Sequence, residues 1–426
     1  MAPSLPASPR SAGAALAVFG VLILVLTLGV SAALAPEVGS ASAGNGTQQT
    51  LVGSQGGGPG LHEKGSVYLL EGKETAWRAD GTDSYFDVTM LDNGSVLAGF
   101  MDSGYEECGP YESPCTHTGF RVIDPHANDS SAEPEVVYEY SFPVRTRVNS
   151  EVHDVELLPS GEFLVTDMEY ERIFTVKNGE ITWQWNASSQ YDAPEDPTRT
   201  DWLHINDVDA IGEDRYLVSV RNAHQLVVVE RGEGVVEVIN KDEDGDGKGD
   251  PTLLRQQHNP QWLGNGSVLV ADSHNDRIVE LHRNAETGEW EEAWALYGAE
   301  GVPFSWPRDA DRLSNGNTLV TDSLNQRIVE VNESGEVVWS YKTPQVPYEA
   351  ERLPEGETVG GVSYADSNDG DVGDGQIPVL SFLLMVAQTG LQVPFWFNEL
   401  HVAVSLISIF SVLGGGALVV WGTVRD

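Results

Sequence analysis

Five stretches of this chain align on a shared leucine or isoleucine, and nothing else in the sequence restricts the fold as strongly. FDVTMLDNGSVLAGF begins at Phe86, HDVELLPSGEFLVTD at His153, NDVDAIGEDRYLVSV at Asn206, HNPQWLGNGSVLVAD at His258 and RDADRLSNGNTLVTD at Arg308. Each reads as a strand, a Gly/Asn turn and a second strand with alternating apolar residues. A second hairpin follows in ERIFTVKNGEITWQW (171–185), DRIVEL…EEAWALY (276–297) and QRIVEVNESGEVVWSY (326–341). Four strands repeated every 40–67 residues mark the blades of a propeller.

The ends of the repeat close the count. YEAERLPEGETVGG (348–361) matches a first hairpin and then stops, while SVYLLEGKETAW (66–77) matches a second hairpin with no first one before it. Joined, they make a sixth blade, which removes the open sheet edges and locks the ring. The expected fold is therefore all-β, a six-bladed β-propeller over 61–365 closed by N- and C-terminal hairpins. Gly/Ser-rich 36–60 and the acidic stretch 366–376 are expected as linkers.

Both ends are apolar. Residues 12–35 carry no charge and are long enough to span a bilayer, and the ALA at 33–35 leaves a cleaved signal peptide open. Residues 399–422 read as a transmembrane helix. Residues 377–397, broken by a proline and rich in aromatics, read as an interfacial or half-inserted helix. Arg10 and Arg425 suit the cytoplasmic side, which puts the propeller on the extracellular face of a cell membrane, with lipid as a partner. Cys108 and Cys115 are the only cysteines and stand in one loop, so a disulfide is expected in that compartment. Asp and Glu number 65 against 24 Lys and Arg, a formal charge of −41. Such a field repels nucleic acid, which excludes it as a partner, and the dense carboxylates suit a surface adapted to high salt.

The innermost strand of each blade lines the central channel. The residue opening each aligned segment is Phe86, His153, Asn206, His258, Arg308 or Tyr348. A structural position repeats one residue type, whereas this one changes from blade to blade and is rich in His, Asn and Arg. His204 lies two residues before Asn206, so in an extended strand both face the same side. Asp167, Asp272 and Asp322, each followed by Arg172, Arg277 or Arg327, resemble NHL-type repeats and are expected to tie turns. The third blade departs from that rule, with Val220 at the Asp position and Arg221 beside it. A guanidinium, an amide and several imidazoles suit an oxyanion in transfer, imidazole being able to attack sulfur or phosphorus. A zinc site of His153, His204 and His258 is the rival on residue type. The expectation that no carboxylate or Cys stands beside these histidines in a metal-ligand spacing weighs against it.

HDVELLPSGEFL (153–164), DWLHINDV (201–208), the arginine of SVRN (219–222) and QHNPQWLGNGSVLVAD (257–272) together resemble the arylsulfotransferase family of six-bladed propellers. That is the kind working outside the cytoplasm without a nucleotide sulfate donor, here as a membrane-anchored, haloarchaeal member. The resemblance spans roughly 60–365. It implies that His258 carries a sulfo intermediate, that His204 and Asn206 are the family's His-x-Asn pair, and that His153 and Arg221 bind the sulfate. It further implies transfer from a small aryl sulfate to a phenol, with no cofactor required for catalysis. Arg308, Tyr348 and Phe86 complete the ring as substrate-binding residues. The alternative is a non-catalytic, NHL-like binding propeller on the cell surface; a propeller hydrolase or lyase is a third reading. Finally, Asp242, Asp244, Asp246 and Asp250 alternate around glycines in a loop that suits structural Ca²⁺, although the usual closing Glu is missing and a solvated charge run explains the same pattern.

Overall fold

The repeat predicts hairpins packed in pairs, and the computed structural model shows them as six four-stranded antiparallel sheets. It describes residues 8–425 apart from 37, 42–47, 59–60, 128–132, 149, 265, 365–377 and 392. The acidic linker expected at 366–376 lies outside the described residues. The innermost strands are Ser84–Met90, Val155–Leu157, Ile205–Gly212, His258–Gly264, Pro307–Arg312 and Val346–Leu353. Between neighbouring sheets lie apolar layers. One holds Leu164, Ile173, Trp185, Val208, Val218 and Val227, and another holds Leu269, Ile278, Trp294, Val320 and Val329. Full burial of side chains of this size contributes about 1.5–3 kcal/mol each.

The closing blade differs from the expected pair of hairpins. Its innermost strand is Val346–Leu353 from the C-terminal side, and the other three strands are N-terminal: Gln49–Gly56, Gly65–Glu71 and Glu74–Thr82. The stretch expected as a linker, 36–60, thus supplies a core strand, and Leu51 and Val52 in it are fully buried. After Leu353 the chain does not return as a second strand. Three-plus-one closure still leaves no open edge, because Gln49–Gly56 pairs with both neighbours.

Three ties recur as the sequence predicts. Asp167, Asp272 and Asp322 are buried and accept from the Nε–H of Arg172, Arg277 and Arg327 at 2.6, 2.7 and 2.7 Å. Each arginine stands at the start of a third strand, so the pair pins the turn after the second strand. The Cys108–Cys115 disulfide is formed.

The terminal helices make a separate unit with residues 1–37 and 373–426. Helix α1 covers Pro9–Leu34, α2 Pro378–Leu391 and α3 Glu399–Arg425. Two helices, Pro9–Leu34 and Glu399–Val424, are long and apolar enough to cross a membrane. α1 and α3 pack antiparallel through small residues. A Cβ on Gly13 would stand 2.5 Å from the Gly415 carbonyl, and one on Gly20 would stand 2.8 Å from the Ser411 side chain. Such close backbone approach is how apolar helices pair without a hydrophobic driving force.

Candidate functional site

A β-bulge builds the site. In five of the six blades the ladder between the first and second strands slips at the ring position: between Tyr85 and Val88, Ile205 and Asp207, His258 and Pro260, Pro307 and Asp309, and opposite Gly53 and Ser54 in the closing blade. In the remaining blade, pairing starts only at Val155, after His153. A bulge re-aims one side chain and releases it from the strict alternation of faces. The ring residue and its successor can therefore both serve the channel.

The ring residues come together. The His153 ring lies 5.1 Å from that of His204, 5.5 Å from Tyr348 and 4.9 Å from Phe86. His258 lies 6.2 Å from Tyr348 and 6.3 Å from Trp306. The Arg308 guanidinium sits over Trp306 at 4.3 Å and over Tyr348 at 5.1 Å. All are buried.

Each side chain is held by specific partners. His258 Nδ1 meets Ser273 Oγ at 2.7 Å, and that hydroxyl donates to the Pro307 carbonyl at 2.7 Å. A hydroxyl has one proton, so it accepts from Nδ1–H, which leaves the His258 Nε2 lone pair available. Burial, then the cations Arg221 and Arg308, hold His258 well below the usual imidazole range, so it is neutral at pH 7. His204 Nδ1 is bound to Asp201 at 2.7 Å, and burial followed by Arg221 pushes its pKa down to about 4. His204 is not in the extended conformation expected for it. Its φ is +55°, and it precedes the strand. Buried Glu171 imposes that turn, accepting the backbone N–H groups of Leu203, His204 and Ile205 at 2.8, 2.7 and 3.0 Å. Asn206 is the bulged residue and donates from Nδ2 to the Gln257 carbonyl at 2.9 Å, bracing the backbone just before His258. Arg221 donates to Asn222 Oδ1 at 3.0 Å and lies 3.7 Å from Asp201. Arg308 donates to Gln55, and burial lowers its pKa to about 10, so it stays cationic.

Many polar atoms here have no partner among the described residues: His153 Nδ1, Asn206 Oδ1, Arg221 Nε, Arg308 Nε, Tyr348 Oη and His274 Nε2. Buried polar groups are almost always satisfied, so such a concentration describes a cradle for a polar ligand.

The sequence reasoning missed several members. Glu151 stands between His62 and His153, its oxygens 3.0 and 3.3 Å from their Nε2 atoms. The expectation that no carboxylate stands beside these histidines is overturned, since Glu151, His153 and His204 bring ligand atoms within 4.8 Å of one another. The signal was there in Glu-Val-His at 151–153. His258 is not part of that trio. Gln55, Ser273, His274 and Trp306 carry no local signal, because the ring closure and neighbouring blades bring them in. Asp242, Asp244 and Asp246 do cluster, exposed, but Asp250 does not join them: its carboxylate accepts from Thr252 N–H and Oγ–H, each at 2.8 Å.

Deeper in the channel stand two levels of carboxylates. One step past the ring are Asp87, Asp154, Asp207, Asp309 and Glu349, and two residues further are Glu156, Asp209, Asp311 and Glu351. Several stitch one inner strand to the next. Asp87 accepts from Val155 N–H at 3.2 Å, Asp309 from Ala350 N–H at 3.1 Å, Glu156 from Ala210 N–H at 3.0 Å and Glu351 from Met90 N–H at 3.2 Å. Burial raises these carboxyls, Asp309 to about 7 and Glu351 to about 8. Part of the acidity that composition assigns to the surface is thus inside the molecule.

No family model matches this chain, and no curated protein matches it. Among solved structures it is similar to a protein of unknown function from Bacteroides caccae, at 16% identity over 72% of this chain and 99% of that one, with a TM-score of 0.49. It is also similar to the periplasmic gluconolactonase of Pseudomonas aeruginosa (13% identity, 72% and 98% covered, TM-score 0.42). Virginiamycin B lyase from Staphylococcus aureus follows at 12% identity, 61% and 70% covered and a TM-score of 0.36. Likeness at this distance extends to the propeller fold and no further.

Proposed function

We propose that the chain is a membrane-anchored enzyme that moves a sulfuryl group from an aryl sulfate to a phenol through His258. The observation that carries the reading is the His258–Ser273–Pro307 relay, which presents a neutral Nε2 to a buried cradle flanked by Arg221 and Arg308. In the first half-reaction Nε2 attacks sulfur, the S–O(aryl) bond breaks, and the phenolate leaves with the electron pair. The two guanidiniums balance the charge of the sulfuryl oxygens. In the second half-reaction the acceptor phenol gives its proton to neutral His204, whose other nitrogen is held by Asp201, and its oxygen takes the sulfuryl group from His258. The antiparallel pairing of α1 and α3 supports two spans with Arg10 and Arg425 on one side of the membrane, and the disulfide suits a propeller on the other.

The test is purified full-length protein in molar salt with a chromogenic aryl sulfate, with and without phenol, beside His258→Ala. Phenol-dependent release of the chromophore that the substitution abolishes supports the reading. Folded protein that releases nothing sinks it.

A second reading rests on Glu151, His153 and His204, a donor set that suits zinc and a metal-assisted hydrolase or lyase. It predicts zinc in the purified protein and chromophore release without phenol, lost in Glu151→Gln.

A further inference from the structure

We infer that the deep end of the propeller channel binds a divalent cation between Glu156, Asp209 and Glu357. The site lies apart from the histidine cradle and is independent of the reaction proposed for it. Asp209 is three residues along its strand from Asn206, which at about 3.3 Å per residue is roughly 10 Å deeper in the channel.

Three observations carry the inference. The first is convergence: one carboxylate oxygen from each residue lies within 4.8 Å of the other two. They come from the second blade, the third blade and the segment that follows the last strand. That segment turns back onto the channel and is held there by backbone contacts. Glu357 N–H donates to Glu351 at 2.7 Å, and Gln261 Nε2 donates to the Thr358 carbonyl at 3.0 Å. Chain geometry therefore brings Glu357 against two further buried carboxyl groups.

The second observation is unused oxygens. Asp209 Oδ2 is buried without a partner, and so are Asp154 Oδ1 and Asp207 Oδ1 at the level above; the three residues are 4, 4 and 3% exposed. In Asp154 the Oδ2 accepts from the Val208 N–H of the next blade, which leaves Oδ1 over.

The third is the absence of a countercharge. Among the described residues no Arg, Lys or His forms an ion pair with Glu156, Asp209 or Glu357; the nearby Arg312 and Arg352 are committed to Glu280 and Glu330 at 3.0 and 2.8 Å. Oxygen-only ligands without a nitrogen or sulfur donor select a hard cation of the Ca²⁺ type. Bound there, the ion would clip the returning segment to two blades.

The experiment uses full-length protein in detergent and molar KCl, stripped with chelator and dialysed to equilibrium against radioactive Ca²⁺. The Asp242→Asn/Asp244→Asn double variant removes any contribution of the exposed loop. We expect one Ca²⁺ per chain in that variant, and its loss when Glu357→Gln or Asp209→Asn is added. We also expect the melting temperature of the double variant to fall on chelation. No retained Ca²⁺ in the double variant overturns the inference without recourse to any channel substitution. Retention that survives both channel substitutions overturns it as well.

Discussion

A single proton decides what His258 can do. Ser273 spends its only hydrogen on the Pro307 carbonyl, so it can take the proton of Nδ1 and cannot supply one. The imidazole is then a neutral base at Nε2. Its pKa lies well below 6.5 in the folded protein, and in the proposed transfer the neutral form is the reactive one. Activity is therefore present above that depressed value and lost as pH falls through it. A pH–rate profile should hold its plateau through pH 6.5 on the acid side, and a fall centred at 6.5 or above would contradict the environment described. Residue types and their ring position were legible in the sequence, because a channel-lining site that changes from blade to blade stands out against a repeat. The partners that tune them were not. Ser273 comes from a turn after the second strand, and Gln55 comes from the other end of the chain.

At the level of the element, the repeat separates structure from chemistry. Where Asp follows the second strand, it binds an arginine and the turn is inert; where the third blade carries Val220 instead, Arg221 is released to the cradle. Asp322 and Arg327 are both fully buried, so Asp322→Asn removes the closer of the guanidinium's two carboxylates and leaves only the 3.5 Å contact to Glu300. Breaking such a pair costs about 3–5 kcal/mol, read as a lowered urea midpoint at unchanged slope. The same alignment also displayed the inner carboxylates, as FD, HD, ND, RD and YE. Their alternation with apolar Val and Ala reads equally well as one wet face, and only the bulge makes two successive residues polar-facing. The left-handed turn at His204 was illegible for a related reason: Glu171, from the neighbouring blade, imposes it.

For the whole molecule, the decisive feature is how the ring shuts. The C-terminal chain gives one strand and the N-terminal chain gives three. The strand Gln49–Gly56 was hidden because its Gly- and Ser-rich sequence shows little apolar alternation, and its partner Val346–Leu353 is remote in sequence. Deleting 346–364 should strip Gln49–Gly56 of its inner partner, reopen the ring and abolish the cooperative melt, followed by circular dichroism. Deleting 378–426 should leave that melt in place, since those residues belong to a different unit.

This closure also sets an order in time. During synthesis Gln55 leaves the ribosome early, Arg308 late and Tyr348 later still, yet the three meet around one cradle. A nascent chain carrying five blades already has His153, His204 and His258 but no finished chamber around them. In the proposed transfer, reactivity therefore waits for the last strand, and a truncated product released too soon would be inert as well as unstable.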